Sequence, residues 1–359
     1  MAEASLRDVL LLEHDSGDLS DEELILLLEA NEGKENLSFD YWKHDLFCID
    51  NFNDDECWAD FRFKKDDLER LANALQLPEV IETYNRVKVD RMEALCLLLR
   101  RLAFPCRYSD LIPKFGCRPI PVLCVIYNHM IDLIYEKFNK LLVDMNQRWL
   151  SPENLKKYAD AVHASGAPLD NCWGFIDGTL RGITRPEKNQ RLMYSGHKRK
   201  DGFKFQAVTT PNGLIAQLFG PIEGSRHDSY VLYQSGLLNQ LQTHSFAPDG
   251  SVLSIYGDTA YPFSLHLQTG HKNPNSDDEA LYDQKMSAAR ASVEWVFGEV
   301  INNFRYTDFT KMQKIGLNSV AKQYVVSSLV NNAKTCLYGS KTSTYFKCDP
   351  PTLEEYLSI

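Results

Sequence analysis

The stretch Cys172-Trp-Gly-Phe-Ile-Asp-Gly-Thr179 is a short apolar run closed by an acid. A run of this length reads as a buried strand ending at Asp177. Downstream, Lys204-Phe-Gln-Ala-Val-Thr-Thr210 alternates and leads into Pro-Asn-Gly, a turn signal, before Leu214-Ile-Ala-Gln-Leu-Phe219 returns. Three strands in an antiparallel meander are therefore expected, the first ending at Asp177. Asp228 to Gln242 reads as a helix. Val252 to Tyr256 reads as a second buried strand, which ends at Asp258 within Ser-Ile-Tyr-Gly-Asp-Thr-Ala-Tyr-Pro. Helices are expected from Gln284 to Asn302 and from Gly316 to Leu337.

This succession is the order of a ribonuclease-H-like α/β domain, placed at 160–340. Glu294, in Ala-Ser-Val-Glu-Trp-Val-Phe, lies on one of its helices beside Val293, Val296 and Phe297. A carboxylate beside an apolar face is costly unless it meets a cation. Taken singly, Asp177 and Asp258 each read equally well as turn residues, and Glu294 as the partner of Arg290 one turn earlier. Taken together, two acids at strand ends and one on a packed helix suit a pair of divalent cations of the kind phosphodiester chemistry requires. Asp228 follows Gly224-Ser225-Arg226-His227 and is either the cap of its helix or a fourth acid at the same site. His227 suits a phosphate or water better than a hard cation.

The chain has 359 residues, 44% hydrophobic and 25% charged, enough for one large domain or two ordinary ones. No apolar run is long enough for a membrane span, and residues 1–30 lack the basic start of a signal peptide. The nine Cys are irregularly spaced with no Cys-x-x-Cys pair, which argues against zinc and for reduced thiols. Net charge is −10 but uneven: residues 1–70 carry 7 Lys or Arg against 21 Asp or Glu, and the remainder 32 against 28. Residues 1–65 read as an acidic leader, partly disordered or else a docking segment, with a short amphipathic piece at Leu24 to Leu28.

Residues 66–150 read as helical. One helix starts at the acids Asp66 and Asp67. Asp90 caps another that Pro105 stops. Tyr108 to Pro119 reads as a short helix and a turn before a helix from Pro121 to Leu142. The last two elements suit either a helix–turn–helix, with Arg107, Lys114 and Arg118 as its cations, or a packed helical pair. Residues 341–359 are left as a tail. Between Asp177 and Asp228 lies a basic run: Arg181, Arg185, Lys188, Arg191, Lys198, Arg199, Lys200 and Lys204. It is a solvated hairpin or a surface for a DNA backbone next to the acids, with Tyr194 and His197 able to stack on a base.

Several motifs resemble the PIF/Harbinger transposase family and its host-domesticated nuclease relatives. They are Phe-Ile-Asp-Gly-Thr (175–179), Tyr-Ser-Gly-His-Lys-Arg (194–199), Lys-Phe-Gln (204–206), Gly-Pro-Ile-Glu-Gly-Ser-Arg-His-Asp-Ser (220–229), Gly-Asp-Thr-Ala-Tyr-Pro (257–262) and Val-Glu-Trp-Val-Phe-Gly (293–298). The resemblance spans roughly 90–340, with Arg101 to Asp110 also similar. It implies a ribonuclease-H-like DDE domain preceded by a helix–turn–helix-like region, with Asp177, Asp258 and Glu294 as the catalytic acids. It further implies two Mg²⁺ or Mn²⁺ ions held by those acids and Asp228, and cleavage of double-stranded DNA at transposon terminal repeats with transfer to a target site. A separate Myb-like DNA-binding protein, a homodimer that joins two ends, and residence in the nucleus are the partners and place it implies. The rival expectation is a domesticated DNA-binding or regulatory protein on the same fold without turnover. A phosphohydrolase of small phosphoesters is a third.

Overall fold

The computed structural model describes residues 39–316 and 319–358. The amphipathic piece at 24–28 lies outside them. The first α-helix among the described residues is α1 (Asp54–Phe61), started by a capping box: the Asn53 side chain accepts from the Glu56 N–H, and the Glu56 carboxylate accepts from the Asn53 N–H, each at 2.9 Å. Helix α2 (Lys65–Ala74) follows, then a hairpin of β1 (Val80–Glu82) and β2 (Lys88–Asp90). Asp90 caps α3 (Arg91–Ala103) by accepting from the amides of Met92 and Glu93. After a 3-10 turn comes α4 (Ile120–Phe138), then α5 (Pro152–Ala164).

The sheet begins with β3 (Cys172–Gly182), followed by a single turn α6 (Gln190–Met193), β4 (Tyr194–Ser195), β5 (Lys200–Thr209) and β6 (Ile215–Glu223). Helices α7 (Asp228–Ser235) and α8 (Leu237–His244) come next. They stand where one helix was expected, because Gly236 between them adopts φ 63°, a left-handed conformation that ends α7. Strands β7 (Ser254–Gly257) and β8 (Leu267–Thr269) complete the sheet, and α9 (Asp277–Asn303), α10 (Val320–Tyr338), α11 (Lys341–Phe346) and α12 (Leu353–Leu357) complete the chain.

The sheet order is β6-β5-β3-β7-β8. Strands β3, β5 and β6 are antiparallel to their neighbours in the expected meander, and β7 and β8 run parallel to β3. The result is a mixed α/β fold. Strand β3 does not end at Asp177 but continues to Gly182, paired with β5 throughout. Its other edge pairs with β7 only up to Phe175–Tyr256. Asp177 and Asp258 each lie two residues beyond that pair, on adjacent parallel strands. The open end of β7 creates a cleft at the carboxyl ends of the parallel strands, the usual place for a site in such sheets.

Two boundaries read from composition are corrected. Within 39–65, α1 and the residue after its cap bury Cys57, Phe61 and Phe63, so this part of the acidic leader is folded against the helices. The expected tail is folded too: Phe346 stacks on Phe175 of β3 with ring centres 6.0 Å apart, and Tyr356 meets Trp149 edge-on. One cluster of buried apolar side chains runs from Cys57 to Leu357.

Helix α10 threads this core, touching α4, α9, α12 and edge strand β6. Its buried Asn332 takes the place of a neighbouring strand at that edge. Its Oδ1 accepts from the Ile215 N–H (3.0 Å), and its Nδ2 donates to the Ile215 carbonyl and the Tyr356 hydroxyl (2.9 Å each). Replacing Asn332 by Leu strands a buried N–H and C=O. We expect a loss of about 2–4 kcal/mol in urea unfolding with an unchanged m-value, and a loss below about 1 kcal/mol would contradict this account.

Candidate active site

The site is built on the open edge of β3. Asp177 accepts from its own neighbour's amide, Gly178 N (2.8 Å), through Oδ1, and from Arg290 Nη1 on α9 (3.0 Å) through Oδ2. Both side chains are largely enclosed, at 18% and 19% exposure. Burial pushes the Asp177 carboxyl up to about 6. Arg290 and the Gly178 amide oppose that rise, while Asp258 and Asp228 add to it.

Asp258 follows the last residue of β7, and its Oδ1 accepts from the Ala260 amide (2.9 Å). That turn folds Tyr261 back against Gly257, where a Cβ would lie 2.9 Å from the Tyr261 ring and 2.8 Å from Ile176. The Gly-Asp-Thr-Ala-Tyr motif therefore needs its glycine for close approach. The Tyr261 hydroxyl is buried with no hydrogen-bond partner among the described residues. Burial raises its pKa, and Asp228, Asp177 and Asp258 add to the rise while Arg290 opposes it.

Asp228 is the first residue of α7, after the cap position held by His227. Its carboxylate lies against Gly178, where a Cβ would sit 2.4 Å from Oδ1, and accepts from Lys204 Nζ of β5 at 3.0 Å. It is thus a salt-bridged acid at the helix start and not the cap. Glu294 is exposed on α9, although Val293, Val296 and Phe297 around it are buried as expected. Its helix-mate Arg290 turns to Asp177 instead. Beside the site, a cleft of about 270 Å³ is lined by Asp258, Arg290, Tyr256, Ser287 and the bonded pair His271–Asp283.

The structure gathers Asp177, Asp258 and Asp228 and leaves Glu294 outside. Among the described residues, no three His, Cys, Asp or Glu side chains lie together as a metal-holding group. The fit to a divalent ion therefore rests on Asp177 and Asp258, with the unpartnered Tyr261 hydroxyl beside them. Arg290 and Lys204 supply the positive charge these acids need in the arrangement described. Sequence reasoning had placed Arg290 only as a partner for Glu294 and had missed Tyr261. The signal for Arg290 was its position one turn before Glu294.

The basic residues separate into two groups. Arg185, Lys198, Arg199 and Lys200 are exposed around the β4–β5 hairpin. Arg181 is not available to a phosphate: it is buried between the Thr179 hydroxyl, Asp308 and the Tyr324 ring. Lys204 is spent on Asp228. Of Arg107, Lys114 and Arg118 in the helical region, only Arg107 is exposed. Lys114 pairs with Asp60, and Arg118 forks onto the buried Glu93. The Tyr108–Leu111 element is a 3-10 turn, not an α-helix, and α4 buries Leu123, Ile126, Tyr127, Met130, Ile131, Ile134 and Phe138. The more open side of α4 carries Asp132, which pairs with Lys322, together with Glu136 and Lys137.

Residues 176–331 match the DDE superfamily endonuclease family. The matched segment starts one residue before Asp177 and includes Asp258, Arg290 and Glu294. No curated protein and no solved structure matches the chain. The match supports the superfamily level of the resemblance and points to a nuclease of transposase type.

Because folding raises the Asp177 value from 3.8 to about 6, the ionised carboxylate is disfavoured in the native state. That penalty is full above about pH 6 and fades as the pH falls towards 4. Acidifying from pH 7.5 to 5 should therefore stabilise the wild type by about 1–2 kcal/mol relative to Asp177→Asn, measured by urea unfolding. Parallel pH curves for the two proteins would refute the raised value.

Proposed function

We propose that the protein is a divalent-metal-dependent DNA endonuclease or transposase of the PIF/Harbinger type, with a ribonuclease-H-like catalytic domain. The observation that carries this reading is the placement of Asp177 and Asp258 each two residues beyond the last pair of the parallel β3–β7 ladder, inside the segment that matches DDE superfamily endonucleases. The order of an antiparallel meander, helix, parallel strand and helix supports the domain type.

Asp177 and Asp258 are the residues that hold Mg²⁺ or Mn²⁺, and Asp228 and Glu294 are the acids available to complete the set. Bound there, a divalent ion lowers the pKa of a water and neutralises charge on a phosphodiester. The chain's own contribution is positional. The sheet fixes Asp177 against Asp258. Arg290 reaches the same carboxylate and, once released from it, is the cation nearest to a scissile phosphate. Arg185, Lys198, Arg199 and Lys200 are placed to take the DNA backbone. Double-stranded DNA at transposon terminal repeats and a target site, a Myb-like DNA-binding partner, assembly as a homodimer and residence in the nucleus all belong to this proposal.

A second reading, a DNA-binding or regulatory protein without turnover, draws on Arg290 and Lys204 holding two of the acids and on Glu294 facing outward. Nicking of supercoiled DNA under titrated Mg²⁺ and Mn²⁺ decides between them. Wild-type nicking that Asp177→Asn abolishes is the expected result. Nicking retained by Asp177→Asn sinks the site assignment. No nicking by the wild type, even with a Myb-like partner supplied, favours the binding protein. Arg290→Gln removes a cation that competes for Asp177, so Mn²⁺ binding followed by calorimetry should tighten by about tenfold while nicking falls. Unchanged Mn²⁺ affinity would show that Arg290 and the metal do not share Asp177.

A further inference from the structure

Helix α9 has a second functional flank. Glu294 and Trp295 are consecutive, so they point about 100° apart around the helix. Arg290 faces the acid site, and Glu294 one turn on is exposed. Trp295 opens instead into a groove of about 610 Å³ shared with Trp58 of α1, Tyr338 of α10, and Lys341 and Tyr345 of α11. The rings form two edge-on pairs, Trp58–Tyr338 at 5.1 Å and Trp295–Tyr345 at 5.2 Å. Trp58 and Tyr345 are 39% and 44% exposed, and with Trp295 and Tyr338 they make one contiguous aromatic lining.

Two ammonium groups flank the rings. Lys334 Nζ lies 4.7 Å from the Trp58 ring centre, and Lys341 Nζ lies 4.3 Å from that of Trp295.

The surface of α9 between the acid site and the groove is bare. Gly298 lies there on the helix wheel, and no atom comes within 4 Å of where its Cβ would be. Packing does not require glycine at that position, and an interior helix glycine costs about 1 kcal/mol relative to alanine. Its consequence is a low ridge across which a chain molecule can lie close to the helix backbone.

We infer that the groove of Trp58, Trp295, Tyr338 and Tyr345 binds single-stranded DNA, stacking bases on its rings and placing phosphates against Lys334 and Lys341. This rests on the reading of the protein as acting on DNA. Aromatic platforms edged by cations are the general means of holding unpaired strands. Helix α9 carries both Arg290 at the acid site and Trp295 in the groove.

The test uses the full chain in EDTA, so that cleavage plays no part. Binding of a fluorescein-labelled oligothymidine is followed by anisotropy, together with quenching of tryptophan fluorescence. Wild-type affinity should fall with salt. Trp295→Leu should weaken it about tenfold or more, and Lys341→Gln, an exposed position, should weaken it and reduce the salt dependence. Thermal unfolding of each variant checks the fold. Both variants binding within about twofold of wild type overturn the proposal. So does an oligonucleotide affinity insensitive to the groove when the same substitutions expose the acidic segment 1–38 to protease, which would make that segment the occupant. If the nuclease reading fails, nicking is absent while groove-dependent oligonucleotide binding persists, so the two failures are separable.

Discussion

The carboxylate of Asp177 is enclosed within a sheet beside two other acids, and the structure depends on how that charge is answered. Like charges in a partly buried site raise one another's pKa and are held together only by cations or protons. Arg290 answers Asp177 from α9, and Lys204 answers Asp228 from β5. Each cation also ties two elements together: Arg290 joins α9 to the central strand, and Lys204 joins the meander to the start of α7. The acids thus fix where these elements sit relative to one another as well as forming the candidate site.

That arrangement needs a rigid surround, which the single core supplies. Strand β3 carries Asp177 and also packs Phe175 on Phe346 from the C-terminal helices, so chain ends that composition leaves aside hold the central strand in register. Helix α10 does the same on the far side through Asn332, satisfying an edge strand that has no neighbour. The acidic segment after residue 39 contributes Phe61 and Phe63 to the same core. Its charge is on the surface and its aromatic residues are inside, which a net-charge count cannot reveal.

The sheet was legible because its signals are local. Alternation, a Pro-Asn-Gly turn and short apolar runs gave the meander and β7, and acids at corresponding places on parallel strands gave Asp177 and Asp258. What failed was information about facing. On α9 one residue turns the helix by about 100°, so Val293 is buried while Glu294 is not. On β3, Asp177, Thr179 and Arg181 share one face by the two-residue period, which sends Arg181 beneath α10 and away from solvent. A run of basic residues counts charges without saying which of them the fold has already paired, and Lys114, Arg118 and Lys204 each had a partner far away in sequence. The helix–turn–helix pattern was ambiguous for a related reason: a packed helix and a groove-reading helix share the same apolar spacing.

Helix α9 gathers the consequences of this geometry. Over little more than two turns it presents Arg290 to Asp177, leaves Glu294 exposed, turns Trp295 into an aromatic groove and carries a glycine whose Cβ position is open. Because α9 is one continuous helix, the Arg290–Asp177 contact and the Trp295–Tyr345 contact together fix its rotation about its own axis.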